Sequence, residues 1–457
     1  MSAKFDLLVI GGGSGGVACA RRAAEYNAKV AIIESHRFGG TCVIRGCIPK
    51  KLMMYAGEIG NTLFQTRNFG WVGLEPSEIT HEIGIWTSQK NREISRLEKI
   101  YENLLKTSGV ELIKGSAVVV NKNEVKVGDR HFFAENIVIA VGGTPNLNQI
   151  SGLENALTSD GILDLNESPG RVGVLGSGYI ATEFASILNN LGIEVSLLFR
   201  ADLPLKGFDK DVRVRLMSHM VNCGIRVHPD SKFHSIEKMP AGTKVRLTDN
   251  TFEFDTVLNA LGRSPKVEGL FAPGQSPAIG SRGEIIVDEN NKSSIPGVFA
   301  IGDVTDRVNL TPVAIAEGRA VAENLFNKNS LKVDYNEFAT AVFTTPPIGT
   351  IGLTEESALK KTGNTYRIYE SEFNPLKKSF ASKKTKNYYK IIVEDKSDRL
   401  VGAHIFGDDA PEIIQTLAIA FKAGATKSHL DDTMAVHPTG AEELVLMRKP
   451  SRTIYCQ

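Results

Sequence analysis

The sequence predicts an α/β protein built from two βαβ units and a C-terminal α+β region. Three observations predict it. The strand signal Asp6–Ile10 runs through a glycine-rich turn into a helix and a second strand. The same succession recurs from Arg171. Beyond residue 336 a strand signal at Tyr388–Val393 and a helix signal at Glu412–Ala423 follow a Pro-containing opening, Ala341 to Pro347. The chain has 457 residues, 42% hydrophobic, with 43 glycines. At roughly 150 residues per domain that is room for about three domains.

Composition excludes several classes. The formal net charge is +1 and there is no long basic run; Lys383, Lys384 and Lys386 form only a short cluster, read as a solvated loop. Neither nucleic acid nor an anionic membrane is therefore an expected partner. No stretch approaches the roughly 20 apolar residues of a membrane span. The N-terminus enters the strand Phe5–Ile10 at once, so no signal or transit peptide is expected. Five cysteines are too few for a disulfide scaffold, which fits a reducing, cytoplasmic setting. No metal ligand set is expected.

In the first unit the strand leads into Gly11-x-Gly13-x-x-Gly16, a helix to Glu25, and the strand Lys29–Ile33 ending on Glu34. The glycines permit a tight turn and a close approach of backbone to a pyrophosphate at the helix N-terminus. Glu34 lies 23 residues beyond Gly11 (34 − 11), where a carboxylate accepts ribose hydroxyls. Strand, helix and terminal acid together specify a Rossmann-like dinucleotide site.

The second unit runs from Arg171–Leu175 through Gly176-x-Gly178-x-x-Ala181 and a helix to about Leu191, then the strand Glu194–Phe199. At the position matching Glu34 stands Phe199, followed by Arg200. No acid is present to select an unphosphorylated ribose. Arg200, with Lys206 six residues on, suits a 2′-phosphate. A lysine offers a point charge rather than a planar fork, so the preference it confers is the less absolute.

Between the two units lies Thr41-Cys42-x4-Cys47-x-Pro49-Lys50-Lys51. Residues five apart on a regular helix are separated by roughly 7.5 Å along the axis. A disulfide needs Cα atoms within about 7 Å. Pairing Cys42 with Cys47 therefore demands a distorted helical turn, and such strain makes a bridge easier to reduce. Two dinucleotide sites and one redox cysteine pair imply FAD at the first site and NADPH at the second, with electrons passed to sulfur.

These motifs resemble those of the pyridine nucleotide–disulfide oxidoreductases. The resemblance covers essentially the whole chain and extends to Gly176-Ser-Gly178-Tyr179-Ile-Ala-Thr-Glu183, Phe299-Ala-Ile-Gly302-Asp303 and His437-Pro438-Thr439-Gly440-Ala441-Glu442-Glu443. It implies an FAD domain over residues 1–143 and an NADPH domain over 144–264. It further implies a segment completing the flavin site over 265–335 and a dimerisation domain over 336–457. By the same resemblance Asp303 holds the flavin ribityl chain, and Lys50 pairs with Glu183 near the flavin. Tyr179 covers the nicotinamide pocket. Thr311 is expected to cap the helix opened by Pro312, whose N-terminus faces the flavin. Cys47 faces the flavin as a charge-transfer thiolate, and Cys42 is the outward nucleophile. His437, polarised by Glu442, serves the active site of the other subunit of a homodimer, with a cis His437–Pro438 bond.

The resemblance also places Ser14, Ala18, Arg21, Tyr101 and Arg319 along the disulfide-substrate cleft. Arg21 and Arg319 suit carboxylates, which favours glutathione disulfide over a polyamine-conjugated disulfide such as trypanothione. Pro49-Lys50-Lys51 and Arg200 separate the chain from dihydrolipoamide dehydrogenases, which usually carry Pro-Ser-Lys and an acid at those places. The alternative of a docked flavin electron-transfer subunit lacks any docking extension. Val141 stands where the family commonly has Thr. Cys19 is expected to pack in the first helix, and Cys456 to be a solvent-exposed bystander; Cys223 has no assigned role.

Overall fold

The computed structural model describes residues 4–73, 75, 78–147, 150–336, 338–381 and 385–456. Of the expected basic loop, Lys383 and Lys384 lie outside the described residues, and Lys386 is exposed and paired with Glu372 at 2.9 Å.

The apolar run Leu7–Ile10 is buried on both faces because it becomes the central strand, Lys4–Ile10, of a parallel array. Val30–Glu34 pairs on one side and Arg130–Ile139 on the other, both in parallel register. Glu111–Lys114 extends the array beyond Val30–Glu34. Val298–Ala300, some 160 residues further along the chain (298 − 139), pairs with Arg130–Ile139. An antiparallel meander, Ala117–Asn121 and Glu124–Val127, completes this sheet.

The second unit forms its own parallel sheet, in the order Arg226–His228, Val195–Leu198, Val172–Leu175, Thr256–Asn259. A three-stranded antiparallel sheet, Phe233–Met239, Gly242–Leu247 and Thr251–Phe254, is inserted before its last strand. The C-terminal region is a six-stranded antiparallel sheet containing Asn387–Glu394 and Leu400–Phe406, with the helix Ala410–Lys422 on it through Ile413, Ile414, Leu417 and Phe421.

A charged network joins the second unit to this last sheet. Lys390, almost fully buried, donates to both carboxylate oxygens of Asp209 (2.9 and 3.0 Å), to Asp211 (2.8 Å) and to Glu355 (2.6 Å). Arg452 reaches Asp211, Glu355 and Glu370. A buried ammonium is tolerable only when paired and hydrogen-bonded in this way.

Two expectations are corrected. Cys456 is buried, because Arg452–Tyr455 pairs with Thr365–Phe373 and carries the next residue under that sheet among Ala358, Tyr366 and Ile368. Its thiol donates to the Ala358 carbonyl at 3.3 Å. Thr311 does not cap its helix: Leu310 occupies the cap, and Thr311 is the first helical residue of Thr311–Phe326.

Candidate functional site

The turn from Gly11 to Gly16 opens the helix Ser14–Glu25 and forms one wall of a cleft of about 740 Å³. Gly11, Gly13, Ser14, Glu34, Thr41 and Cys42 line it, with Gly302, Asp303 and Thr311 opposite. Glu34 Oε2 accepts the Gly12 N–H at 2.7 Å and Oε1 accepts the His36 N–H at 2.8 Å. Those bonds fix the carboxylate at the strand end and leave it lone pairs for hydroxyls. Burial raises the Asp303 carboxyl, an effect opposed by the nearby Arg263 guanidinium. The residues fit FAD: a glycine cradle at a helix N-terminus for the pyrophosphate, an acid for the ribose, and Asp303 across the cleft.

The cysteines lie on two helices, not one. Gly40–Arg45 carries Cys42 and ends at Gly46, and Cys47 begins Cys47–Leu63. At Gly46 the backbone leaves the helical region, with φ −142° and ψ −116°. A Cβ there would stand 2.7 Å from the Thr41 carbonyl oxygen and 3.3 Å from the Cys42 Cα. This break is the distortion that the spacing demanded, and it requires glycine.

Both thiols are unbridged, and they hydrogen-bond to each other. The Cys47 thiol is lowered to about 6 by the hydrogen bond from Cys42, then by Thr311 and by the charge of Lys50, all against the cost of burial. Cys42 is pushed up by Cys47 and by burial. The two shifts run in opposite directions, favouring the thiolate at Cys47 and the thiol at Cys42. The Thr311 hydroxyl, relieved of capping, lies 3.5 Å from Cys47 Sγ. Ser14 also reaches Cys42, whose thiol lies close enough to help raise the Tyr101 phenol, after burial.

Beside the pair, Lys50 Nζ donates to Glu183 Oε1 at 2.7 Å, both side chains being nearly inaccessible. The same oxygen accepts the Phe343 N–H at 2.8 Å, and the Lys50 ammonium lies 4.3 Å from the centre of the Phe343 ring. The sequence reading missed Phe343 and Arg263. Phe343 sits in the Pro-containing stretch that marked the last region, with no signal of its own. Arg263 lies in the cleft, and its guanidinium donates to the Gly143 carbonyl at 2.5 Å.

The second glycine turn, Gly176 to Gly178, opens the helix Tyr179–Asn190, in which Ala181 is buried. Tyr179 is pushed up to about 12 by burial and by the charge of Asp303, opposed by Arg263. Arg200 and Lys206 are exposed and have no hydrogen-bond or ion-pair partner among the described residues. Arg21 Nε donates to the Ser108 hydroxyl at 3.2 Å, and Arg319 is exposed on the helix Thr311–Phe326. His437 Nδ1 meets Glu442 Oε2 at 2.9 Å, the imidazole largely exposed and the His437–Pro438 bond cis. Among the described residues of one chain no hydrogen bond brings His437 to Cys42, and neither His437 nor Glu442 lines the cleft.

The chain belongs to the pyridine nucleotide-disulphide oxidoreductases. That family's model matches residues 5–318, and the model of its dimerisation domain matches residues 338–448. Among individual relatives, the chain is 42% identical over 463 residues to a protein of Nostoc sp. named glutathione reductase, covering 98% of this chain and all of that one. A glutathione reductase of Burkholderia cepacia is also 42% identical, covering 97% of this chain and 98% of its own. The solved Cu(II) complex of the HOCl-induced flavoprotein disulfide reductase RclA from Escherichia coli superposes with a TM-score of 0.87 at 25% identity, over 97% of this chain and 99% of that one.

Proposed function

We propose that the protein reduces glutathione disulfide to two molecules of glutathione at the expense of NADPH, through FAD and the Cys42/Cys47 pair. The observation that carries this reading is the two thiols set on either side of the break at Gly46 at the end of the dinucleotide cleft, with the Thr311 hydroxyl 3.5 Å from Cys47 Sγ and the buried Lys50–Glu183 pair beside them. The names of the relatives support the choice of disulfide. Bound FAD supplies two-electron chemistry between NADPH and sulfur.

Glu34, Asp303 and the Gly11–Gly16 turn hold the flavin, and Arg200 with Lys206 meets the 2′-phosphate of NADPH. Tyr179 screens the nicotinamide pocket, and the Lys50–Glu183 pair places positive charge beside the flavin and Cys47. Cys42 must lose its proton before it can attack, because the thiolate is the nucleophile. We assign that proton to His437, oriented by Glu442 and contributed by the second copy of a homodimer. The Cys42 thiolate attacks one substrate sulfur, forming a mixed disulfide. The departing glutathione thiolate takes the proton back. The Cys47 thiolate then attacks the Cys42 sulfur, closing the Cys42–Cys47 bond and releasing the second glutathione as a thiolate, which takes a proton from solvent. Arg21, Tyr101 and Arg319 orient the peptide. Domain limits near residues 143, 264 and 335 and a cytoplasmic location belong to the same reading; among the described residues no helix is long and apolar enough to cross a membrane.

The test is NADPH oxidation by the purified yellow protein with glutathione disulfide, lipoamide and trypanothione disulfide in parallel, repeated with NADH. Fast turnover confined to NADPH and glutathione disulfide is expected. Fast turnover with lipoamide and NADH would overturn both assignments. In Cys42→Ser, flavin bleaching by NADPH should persist while disulfide turnover disappears; retained turnover would remove Cys42 from the scheme.

A further inference from the structure

We propose that Arg213 is a positioning residue for nucleotide selectivity, acting by pinning the loop that carries Arg200 and Lys206. The inference rests on the reading that these two cations meet the 2′-phosphate of NADPH. Arg213 lies in the first turn of the helix Lys210–Asn222 and its side chain is largely buried. It points back at the loop rather than at the nucleotide cleft. Its Nε donates to the Pro204 carbonyl at 2.7 Å and its Nη2 to the Leu203 carbonyl at 3.0 Å. One planar guanidinium thus clamps two consecutive carbonyls, a geometry that a lysine cannot match.

The clamp acts where the loop is conformationally demanding. Leu205, next in the chain, has φ +54°, uncommon for a side chain branched as leucine is. Its N–H donates to the Ser177 carbonyl at 2.7 Å, inside the second glycine turn. Lys206 follows directly. Its place is therefore set by a stretch held at two points, by Ser177 in the second glycine turn and by Arg213 on the helix side. The helix itself is anchored, since Asp209 caps it and is gripped by the buried Lys390.

Arg213 has a second effect on the same loop. Asp202 is the only acid between Arg200 and Lys206. Its carboxylate lies 4.0 Å from Arg213 Nη2. The guanidinium offsets a negative charge on the loop itself that would repel a phosphate at this place, where Asp230 also adjoins through its N–H to the Ala201 carbonyl. Removing Arg213 should therefore harm a nucleotide bearing the 2′-phosphate and spare one without it.

The experiment compares wild type, Arg213→Gln, Arg213→Lys and Arg200→Leu. It measures kcat and KM with NADPH and with NADH, and inhibition by adenosine 2′,5′-bisphosphate and by 5′-AMP. For Arg213→Gln the NADPH KM should rise about tenfold, the effect of losing roughly one charge-assisted hydrogen bond. The kcat and the NADH KM should stay level, and the bisphosphate should weaken by the same factor while 5′-AMP does not. Arg213→Lys, which keeps the charge opposite Asp202, should recover part of the loss and decides the matter if Arg213→Gln does not fold. Equal changes for both nucleotides, or no change in selectivity, would overturn the proposal. An unchanged selectivity in Arg200→Leu would instead discard Arg200 as a phosphate contact, leaving Arg213 to be judged through Lys206.

Discussion

The two glycine turns share a scaffold and differ in what lies over it. Gly11 and Gly176 both adopt positive φ, +110° and +128°, and in each a Cβ would strike a carbonyl oxygen 2.3 Å away, of Ala140 and Ala260 respectively. Beyond that point the units part. The first turn is roofed by the start of the helix Gly40–Arg45: a Cβ on Gly40 would fall 2.4 Å from the Gly13 Cα. At Gly178, the counterpart of Gly13, nothing lies within 4 Å of the corresponding position. The strand ends differ as well, Glu34 being held by the Gly12 N–H of its turn and the His36 N–H beyond the strand while Arg200 stands exposed. A closed site with a fixed acid suits a cofactor that stays. An open site with a waiting cation suits a nucleotide that comes and goes.

Exchanging the third small residue of each motif would break this comparison most severely. A Cβ on Gly16 would lie 2.0 Å from the Gly11 carbonyl oxygen, whereas the matching Ala181 is accommodated, fully buried. Gly16→Ala should yield protein purified without yellow colour. Ala181→Gly should keep its flavin and lose about 1 kcal/mol of stability, the cost of glycine in a helix interior. A yellow Gly16→Ala protein with normal absorbance would show the first turn to be as forgiving as the second.

The strand-end residues give the next effects. Arg200→Leu should lower the NADPH-over-NADH ratio of kcat/KM by about 10- to 100-fold, since hydrogen bonds to charged groups contribute about 1.5–3 kcal/mol. Glu34→Gln keeps one acceptor oxygen but loses the charge that holds the Gly12 and His36 N–H groups. Flavin affinity should fall about tenfold, read by the FAD concentration needed to restore absorbance to stripped protein. If Glu34→Gln instead altered the NADPH/NADH ratio and spared flavin, the two sites would be assigned the wrong way round.

Much of this was legible locally. The βαβ units, their glycines and Glu34, Arg200, Cys42 and Cys47 announce themselves through spacing, because strand, turn and helix each have a short-range signature. The first helix, expected to run to Glu25, does so. What the sequence withheld is set by long-range packing. Cys456 looked exposed because its burial comes from pairing with a strand some 90 residues earlier. Thr311-Pro312 resembled a cap, yet the helix begins one residue sooner and turns the hydroxyl toward Cys47. Phe343 gave no sign that it would close over Lys50 and Glu183, which come from two other parts of the chain. The grip of Lys390 on Asp209 joins residues about 180 apart, for which no periodicity exists to be read.

The smallest effect belongs to the place where the two units meet. Lys50 follows Cys47 on the helix Cys47–Leu63, and Glu183 comes from the helix of the second unit. Cys47 is held at about 6, below its ordinary 9.0, first by Cys42, then by Thr311 and Lys50, while Glu183 acts in the opposite sense. Lys50→Met should therefore raise the thiolate titration of the reduced protein by about one unit or more, followed by ultraviolet thiolate absorbance. Adding Glu183→Gln should return part of that shift, because the opposing carboxylate is gone too. Stability carries the same sign. A thiol whose folded pKa is depressed contributes stability that is complete above about 9 and is lost as pH falls through about 6. Cys42, held protonated, begins to subtract only above about 9. Reduced wild type should gain stability between pH 6 and 9, and Lys50→Met should gain less across that window. Identical slopes in the two proteins would mean that the pair from the two units does not reach the thiolate at all.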